Sequence, residues 1–320
     1  MVITYSRNVF LPLTRSCRNR CYYCGFRKEN DGLMGFDSIV SLLRRAKNAT
    51  EALLTFGELP EFSERVRKDI KAFGFSSFSD YVKSVCEIAI KEGFLPHTNP
   101  GVVDTDFLKK VKDVNASMGL MLEQAVELEC HKESPGKKPE ERIKFIKKAG
   151  KLEIPFTTGI LIGIGEKFED RIYSLEVIAD IHDNYGHIQE VIIQNFSPKK
   201  GTKMENFKPP STSEMLETVK VARKIIQKDV AIQVPPNLVR DIETFVKAGA
   251  NDLGGISDVT PDFINPEHPW PKVEEIYEKL RGYELKERLP IYPKFVVEGW
   301  YSEKIAPLIE AYSDEEGYKC

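Results

Sequence analysis

Three of the chain's six cysteines fall close together, in the run Thr14-Arg15-Ser16-Cys17-Arg18-Asn19-Arg20-Cys21-Tyr22-Tyr23-Cys24-Gly25-Phe26. The others, Cys86, Cys130 and Cys320, are scattered. Three thiolates on one short loop can hold three irons of a cubane 4Fe-4S cluster, because cysteine sulfur is the soft ligand that such clusters require. The fourth iron then lacks a protein ligand. A cluster that only relayed electrons would ordinarily take four cysteines, so the vacancy points to an external chelator. S-adenosylmethionine suits it: its amino and carboxylate groups can chelate iron, which brings the sulfonium beside the cluster. One electron can then cleave the sulfonium bond to give a 5′-deoxyadenosyl radical. Two other metal readings stay open at this point. A structural zinc site would want four tetrahedral ligands, and Arg15 to Phe36 offers no histidine. An ordinary four-cysteine cluster would have to recruit Cys86 or Cys130.

Such chemistry needs elements that bring distant loops together. Short β-rich runs alternate here with segments of helical period, the signature of parallel βα units. Strands are expected near Val9–Thr14, Ala52–Phe56, Phe94–His97, Asn115–Met121, Phe156–Ile162, Glu190–Phe196, Val230–Val234 and Asn251–Ile256. Helical stretches fill the gaps, among them Phe62–Phe73, Phe78–Lys91, Glu140–Ala149 and Asn237–Ala248. Eight such units over roughly 250 residues match a closed (β/α)8 barrel of the TIM type. A doubly wound open sheet competes, but no dinucleotide-type glycine fingerprint follows the first strand, which favours the barrel. Residues 1–282 are expected to form it, and residues 283–320, with Pro290, Pro293 and a last helix near Ser302–Tyr312, a C-terminal extension packed on it. The cysteines follow the first strand directly and so fall on the C-terminal face, where this fold builds its active sites.

Composition narrows the function classes. The chain has 320 residues, 41% of them hydrophobic, enough to bury a core, and 46 Lys plus Arg against 49 Asp plus Glu give a net charge of −3. A nucleic-acid binder would normally show a concentrated basic excess. The basic stretch Lys137 to Lys151, interrupted by Glu140 and Glu141, reads as a solvated helix. No run approaches the ~18 consecutive apolar residues of a membrane span, and neither signal peptide nor anchor is indicated at the N-terminus. A cytoplasmic protein with no nucleic-acid or membrane partner is the expectation, in a reducing compartment.

Further polar residues fall at strand ends. After the second strand comes Thr55-Phe56-Gly57-Glu58-Leu59-Pro60-Glu61, where strand-end carbonyls and a carboxylate suit an ammonium and Gly57 allows close backbone approach. His97 and Asn99, Thr157 and Thr158, Gln233, Asn237 and Asp258 are candidates to hold a substrate. His97, Glu58 and Asp258 are the candidates to take a proton, with His97 and Asp258 preferred. His268, near Trp270, is placed either to line the barrel mouth or to pin the tail.

These residues together resemble the radical S-adenosylmethionine superfamily, whose signature is this cysteine spacing with an aromatic residue just before the last cysteine. Tyr23 fills that position, which family members bring alongside the adenine. The resemblance implies a 4Fe-4S cluster with one open iron on Cys17, Cys21 and Cys24, and S-adenosylmethionine as cofactor. It implies that Gly57 and Glu58 stand in for the Gly-Gly-Glu motif at the methionyl amino group, with Phe56 replacing the first glycine. Ser117 and Glu123 would contact the cofactor's ribose and carboxylate, as in the barrel subfamily of biotin synthase and HydE. Gly159, in Thr157-Thr158-Gly159-Ile160-Leu161-Ile162-Gly163, would support the adenine, and Gln194 and Asn195 would meet its edge.

Taken with Pro96-His97-Thr98-Asn99-Pro100-Gly101, Gly254-Gly255-Ile256-Ser257 and the run Asn265 to Pro271, the set resembles the CofG family of that superfamily across residues 1–320. This implies a radical lyase that makes 7,8-didemethyl-8-hydroxy-5-deazariboflavin, the chromophore of coenzyme F420. Its substrate would be 5-amino-5-(4-hydroxybenzyl)-6-(D-ribitylimino)-5,6-dihydrouracil, with ammonia, methionine and 5′-deoxyadenosine released. It also implies a CofH subunit that supplies this tyrosine-derived adduct, bound or as a diffusible product, and an external electron donor. The alternatives are a sibling enzyme of the CofH, menaquinone-pathway or HydE type, or a non-catalytic iron–sulfur or zinc protein.

Overall fold

A computed structural model describes all 320 residues, Met1–Cys320. Parallel strands covered on both faces read as near-continuous apolar runs, and all seven residues of Phe156–Ile162 are buried. The eight strands β1 (Val2–Thr14), β2 (Glu51–Phe56), β3 (Leu95–Asn99), β4 (Ser117–Gly119), β5 (Phe156–Ile162), β6 (Ile188–Asn195), β7 (Ala231–Gln233) and β8 (Asp252–Ile256) pair in parallel in chain order. β1 pairs with both β2 and β8. The sheet is therefore a closed barrel rather than an open one.

Helices return the chain between strands, each burying an apolar stripe. In Phe78–Lys91 the stripe is Phe78, Tyr81, Val82, Val85, Cys86 and Ala89, at the three- and four-residue spacing of one helix face. Ser77 caps that helix by accepting from the Asp80 amide at 3.2 Å. A cluster of 58 buried apolar side chains joins the helices to the barrel wall. The helix expected from Asn237 starts later, at Ile242–Ala248, capped by Asp241. The reason is local: the Asn237 amide donates to Asp262 Oδ2 at 3.0 Å and to the His268 carbonyl at 3.1 Å, tying its turn to the loop after β8.

β1 is long because its two halves serve different neighbours. Asn8–Thr14 pairs with β2, while Val2–Tyr5 pairs with a ninth strand, β9 (Glu284–Glu287), contributed by the tail. The register of β1 shifts between Pro12 and Thr14; Pro12 has no N–H to give the ladder, and the irregularity re-aims the chain just before the cysteine loop. Beyond β9, Leu289, Ile291, Phe295, Ile305 and Ile309 pack with Leu95, Ala116 and Ala231 at the starts of the strands. The tail thus closes the N-terminal end of the barrel, with Arg288 buried and turned inward. No helix is long and apolar enough to cross a membrane.

Candidate active site

One cavity of about 410 Å³ runs inside the barrel from the cysteine loop to Arg288 and Pro290. Cys17, Cys21 and Cys24 line its mouth, and none of them is in a disulfide. Their loop is clamped by two neighbours. The Gly57 amide donates to the Thr14 carbonyl and Arg18 N to the Glu58 carbonyl, both at 3.0 Å. A Cβ on Gly57 would run into the Ser16 carbonyl, so only glycine lets the two loops pass. On the other side the long connection after β4 wraps over the loop: Gly136 N donates to Asn19 Oδ1 at 2.9 Å, and Tyr22 N to the Cys130 carbonyl at 3.0 Å.

The thiols fit a cluster. Cys17 Sγ accepts from the Glu58 amide at 3.2 Å and Cys21 Sγ from Ser134 Oγ at 3.3 Å, contacts that suit thiolate sulfur. Burial pushes the Cys17 thiol up to about 11 and raises that of Cys21, so both keep their protons until a coordinating cation displaces them. No group of three or more His, Cys, Asp or Glu side chains is close enough together to chelate a single ion; a cubane instead takes one thiolate at each of three corners. Cys86 and Cys130 do not line the cavity. Cys86 sits against Asn115 behind the barrel wall, and Cys130 packs with Leu161, Ile164, Phe196 and Met204.

Next to the cysteines the wall carries charges of both signs, which suits a zwitterionic ligand. Glu58 is buried, its Oε1 accepting from Arg18 Nε and its Oε2 from Val102 N, each at 2.8 Å. Gly101, at φ +71°, and Gly136 form its cradle, for a Cβ on either would overlap the carboxylate side chain. Glu123, at φ +66°, is paired with Lys137. Burial would raise the Glu123 carboxyl, but Lys137 and Arg142 outweigh it and hold it low. Arg142 donates to the Met121 carbonyl at 2.6 Å and the Gly136 carbonyl at 2.9 Å, which leaves its charge 4.0 Å from Glu58 and 3.7 Å from Glu123. Tyr23 also lines the cavity; its hydroxyl is 2.9 Å from His131 Nε2.

Of the residues expected at the site, Tyr23, Gly57, Glu58, His97, Glu123, Gln194 and Asn195 line the cavity with the cysteines, as do Asn99, Thr157, Gln233 and Asn237. Ser117 does not; its hydroxyl donates to the Pro290 carbonyl at 2.6 Å and meets His97 Nδ1 at 2.7 Å, so it ties His97 to the tail. Gly159 does not line the cavity either; the Ile192 backbone and Cβ fill the space a side chain would take. Its role is close packing of β5 on β6. Asp258 is exposed and outside the cavity. Ser257 and Thr260 fold that turn inward through their hydroxyls, 2.8 Å apart, with Thr260 Oγ1 accepting from Phe10 N at 3.0 Å, and Asp258 is left outside. Thr158 is fully buried away from the cavity, its hydroxyl donating to the Leu120 carbonyl at 2.9 Å. His268, outside the cavity, meets Ser197 Oγ at 2.9 Å.

The basic stretch from Lys137 is a correction: Arg142 is buried and Lys137 half-buried in the cavity wall, each facing Glu123, rather than solvated. The sequence held one signal. Arg142 lies three and four positions before Phe145 and Ile146, on the buried stripe of the helix Pro139–Lys151. Arg288 carries no such signal.

Comparison with known proteins agrees with this geometry. The sequence model of the radical SAM superfamily matches residues 11–178. A 7,8-didemethyl-8-hydroxy-5-deazariboflavin synthase of Archaeoglobus fulgidus is 62% identical over 99% of this chain and 98% of its own. The enzymes of that name from Methanosarcina barkeri and Methanopyrus kandleri are 53% and 46% identical, each over 99% of both chains. Among solved structures, methylornithine synthase (PylB) superposes with a TM-score of 0.63 at 20% identity, covering 97% of this chain and 86% of that one. The FeFe-hydrogenase maturase HydG from Carboxydothermus hydrogenoformans gives 0.69 at 17%, covering 97% and 78%; both likenesses speak to the fold. With three free cysteines at the barrel mouth and relatives matched over nearly their whole length, this chain belongs to the radical SAM superfamily and, within it, to the 7,8-didemethyl-8-hydroxy-5-deazariboflavin synthase family.

Proposed function

We propose that the chain forms 7,8-didemethyl-8-hydroxy-5-deazariboflavin from the tyrosine-derived ribityl-uracil adduct named above, as a lyase that releases ammonia. The observation that carries this reading is the continuity of the cavity from three cysteines to a polar floor. Cofactor and a long polar substrate share one chamber. When bound, the 4Fe-4S cluster and S-adenosylmethionine supply a 5′-deoxyadenosyl radical.

The chain's own residues position and shield. Cys17, Cys21 and Cys24 would hold the cluster. Glu58 and Glu123 would offer carboxylates to an ammonium, and Arg142 and Lys137 cations to a carboxylate, beside the cysteines. Tyr23, Leu161 and Phe196 give the mouth apolar walls that keep water from a reactive radical.

His97 is held at both ring nitrogens. Ser117 Oγ, which donates to the Pro290 carbonyl, lies 2.7 Å from Nδ1, and Asn99 Oδ1 lies 3.3 Å from Nε2. Burial pushes His97 down to about 4. It is therefore an uncharged imidazole and a weak base near neutrality.

A CofH-type partner supplies the adduct, an external donor supplies the electron, and the cytoplasm, where thiols stay reduced, is the compartment of this reading. Anaerobic incubation of the reduced holoenzyme with S-adenosylmethionine and the adduct tests it. Deazaflavin fluorescence with stoichiometric ammonia is expected; cofactor cleavage without deazaflavin would point to a sibling enzyme instead.

A further inference from the structure

Far below the cysteines, Asn8 of β1, Glu190 of β6 and Gln233 of β7 line the same cavity. Asn8 is 2% exposed and Glu190 4%. Asn8 Oδ1 is shielded from water and has no hydrogen-bond partner. Glu190 Oε2 accepts from Thr157 Oγ1 at 2.9 Å, whereas its Oε1 is also shielded and unpartnered. Buried polar groups are rarely left so, because an unmade hydrogen bond costs the full desolvation of the group. Two such groups in one wall mark a place that a ligand completes.

The glycine pair Gly254-Gly255 gives this arrangement its room. A Cβ on Gly254, at φ +69°, would come within 2.8 Å of the Gln233 side-chain amide carbon, and one on Gly255 would overlap the Asn8 amide. The pair lets two amides stand in the chamber where side chains from β8 would otherwise fill it.

The charges say what the ligand is not. Arg288 is closed onto Asp252 by two hydrogen bonds, of 2.7 and 3.0 Å, so no free cation awaits an anion. Its Nη2 is 3.6 Å from Glu190 Oε1, beyond hydrogen-bond reach. Glu51 is occupied by Ser6 Oγ at 2.6 Å. Burial and the neighbouring Asp252 push Glu190 up, against the pull of Arg288, Thr157 and Tyr292. A carboxyl so raised takes a proton more readily than an ordinary glutamate, and in that form it donates as well as accepts. Two amides and a neutral carboxyl match groups that also do both, and hydroxyls are the groups that do.

We propose that Asn8, Glu190 and Gln233 form the seat of an uncharged polyhydroxyl chain, the ribityl arm of the substrate, which enters first and leaves the ring system facing the cysteine loop. The assignment of that arm rests on the deazaflavin-forming reading; the preference for hydroxyls rests on the floor alone.

The test is anaerobic equilibrium dialysis of the holoenzyme with two probes, the ribityl adduct and its analogue bearing a plain pentyl chain. The wild-type protein is expected to prefer the ribityl compound by about 100-fold, roughly tenfold for each completed group. Asn8→Leu and Glu190→Leu should each cut that preference about tenfold and leave pentyl binding unchanged. Glu190→Gln, which keeps a donor and an acceptor, should retain it. If Asn8→Leu loses its cluster absorbance or its fold, Asn8→Ser, too short to reach, takes its place. An unchanged preference in the Leu variants, or none in the wild type, overturns the seat even where deazaflavin is formed. The expected preferences without any deazaflavin would overturn the functional reading and leave the seat standing.

Discussion

Arg142 and Arg288 are both buried guanidiniums in the wall of one cavity, and they are held in opposite ways. Arg288, at the floor, closes directly onto the Asp252 carboxylate and stacks at 4.0 Å over the Tyr292 ring. Arg142, at the mouth, is anchored by backbone carbonyls and stands 3.7 and 4.0 Å from two carboxylates without closing onto either. A guanidinium closed onto one carboxylate by two hydrogen bonds is matched and serves structure; one held near its partners by neutral anchors remains available to a ligand. The carboxylates follow suit, for Glu123 is held low at the mouth while Glu190 is pushed up at the floor.

Removing a ligand from the mouth should have the largest effect. Cys17→Ala, Cys21→Ala or Cys24→Ala is expected to abolish deazaflavin formation and the 4Fe-4S absorbance. Full activity in all three would end the cluster assignment. At the floor, Arg288→Met strands Asp252 and is expected to cost about 3–5 kcal/mol of stability. Urea unfolding measures this; a loss under about 1 kcal/mol would mean that the floor is not held by this pair.

Gly136→Ala drives a methyl into the Glu58 carboxylate. Displacing a ligand group by such a distance typically costs about 100-fold, read as kcat/KM for S-adenosylmethionine cleavage, with little change in the unfolding midpoint. Arg142→Met should weaken S-adenosylmethionine binding about tenfold while costing less stability than Arg288→Met, since it breaks no closed ion pair. The reverse ranking would erase the distinction between the two arginines.

The smallest effect is on pH dependence, and its sign differs between the two ends. Glu190 is raised in the fold, so its contribution is complete below the ordinary glutamate value of about 4.5 and is lost as pH climbs above it. Glu123 is lowered, so its contribution is present above about 4.5 and is lost as pH falls. Unfolding free energies of Glu190→Gln and Glu123→Gln against the wild type should show these opposite slopes, each at most about 1.4 kcal/mol per pH unit.

What could be read from sequence follows the range of the interactions. The cysteine loop was legible because its three ligands are neighbours in the chain. The barrel was legible because each βα unit is a local pattern, and β5 and the helix Phe78–Lys91 lie where periodicity puts them. The floor was not. Arg288 meets Asp252 and Glu190 only after the barrel has closed, and nothing near Arg288 in sequence announces partners on β6 and β8. Arg142 was hidden differently: in a run so rich in lysine and glutamate, charge suggested solvent, and the apolar stripe on which it lies was the weaker signal. Asp258 failed as a site residue for the converse reason, since a strand-end position fixes the loop and not the direction its side chain takes.

The tail under the barrel has a kinetic consequence. A chamber stoppered at one end has a single door, and on the present reading the cofactor stands in that doorway while the substrate occupies the back. Traffic through it is then last in, first out: substrate must be seated before S-adenosylmethionine arrives, and the finished deazaflavin must wait for the spent nucleoside to clear. On that reading binding is ordered, and a high concentration of S-adenosylmethionine alone is expected to slow turnover by shutting the door on an empty room.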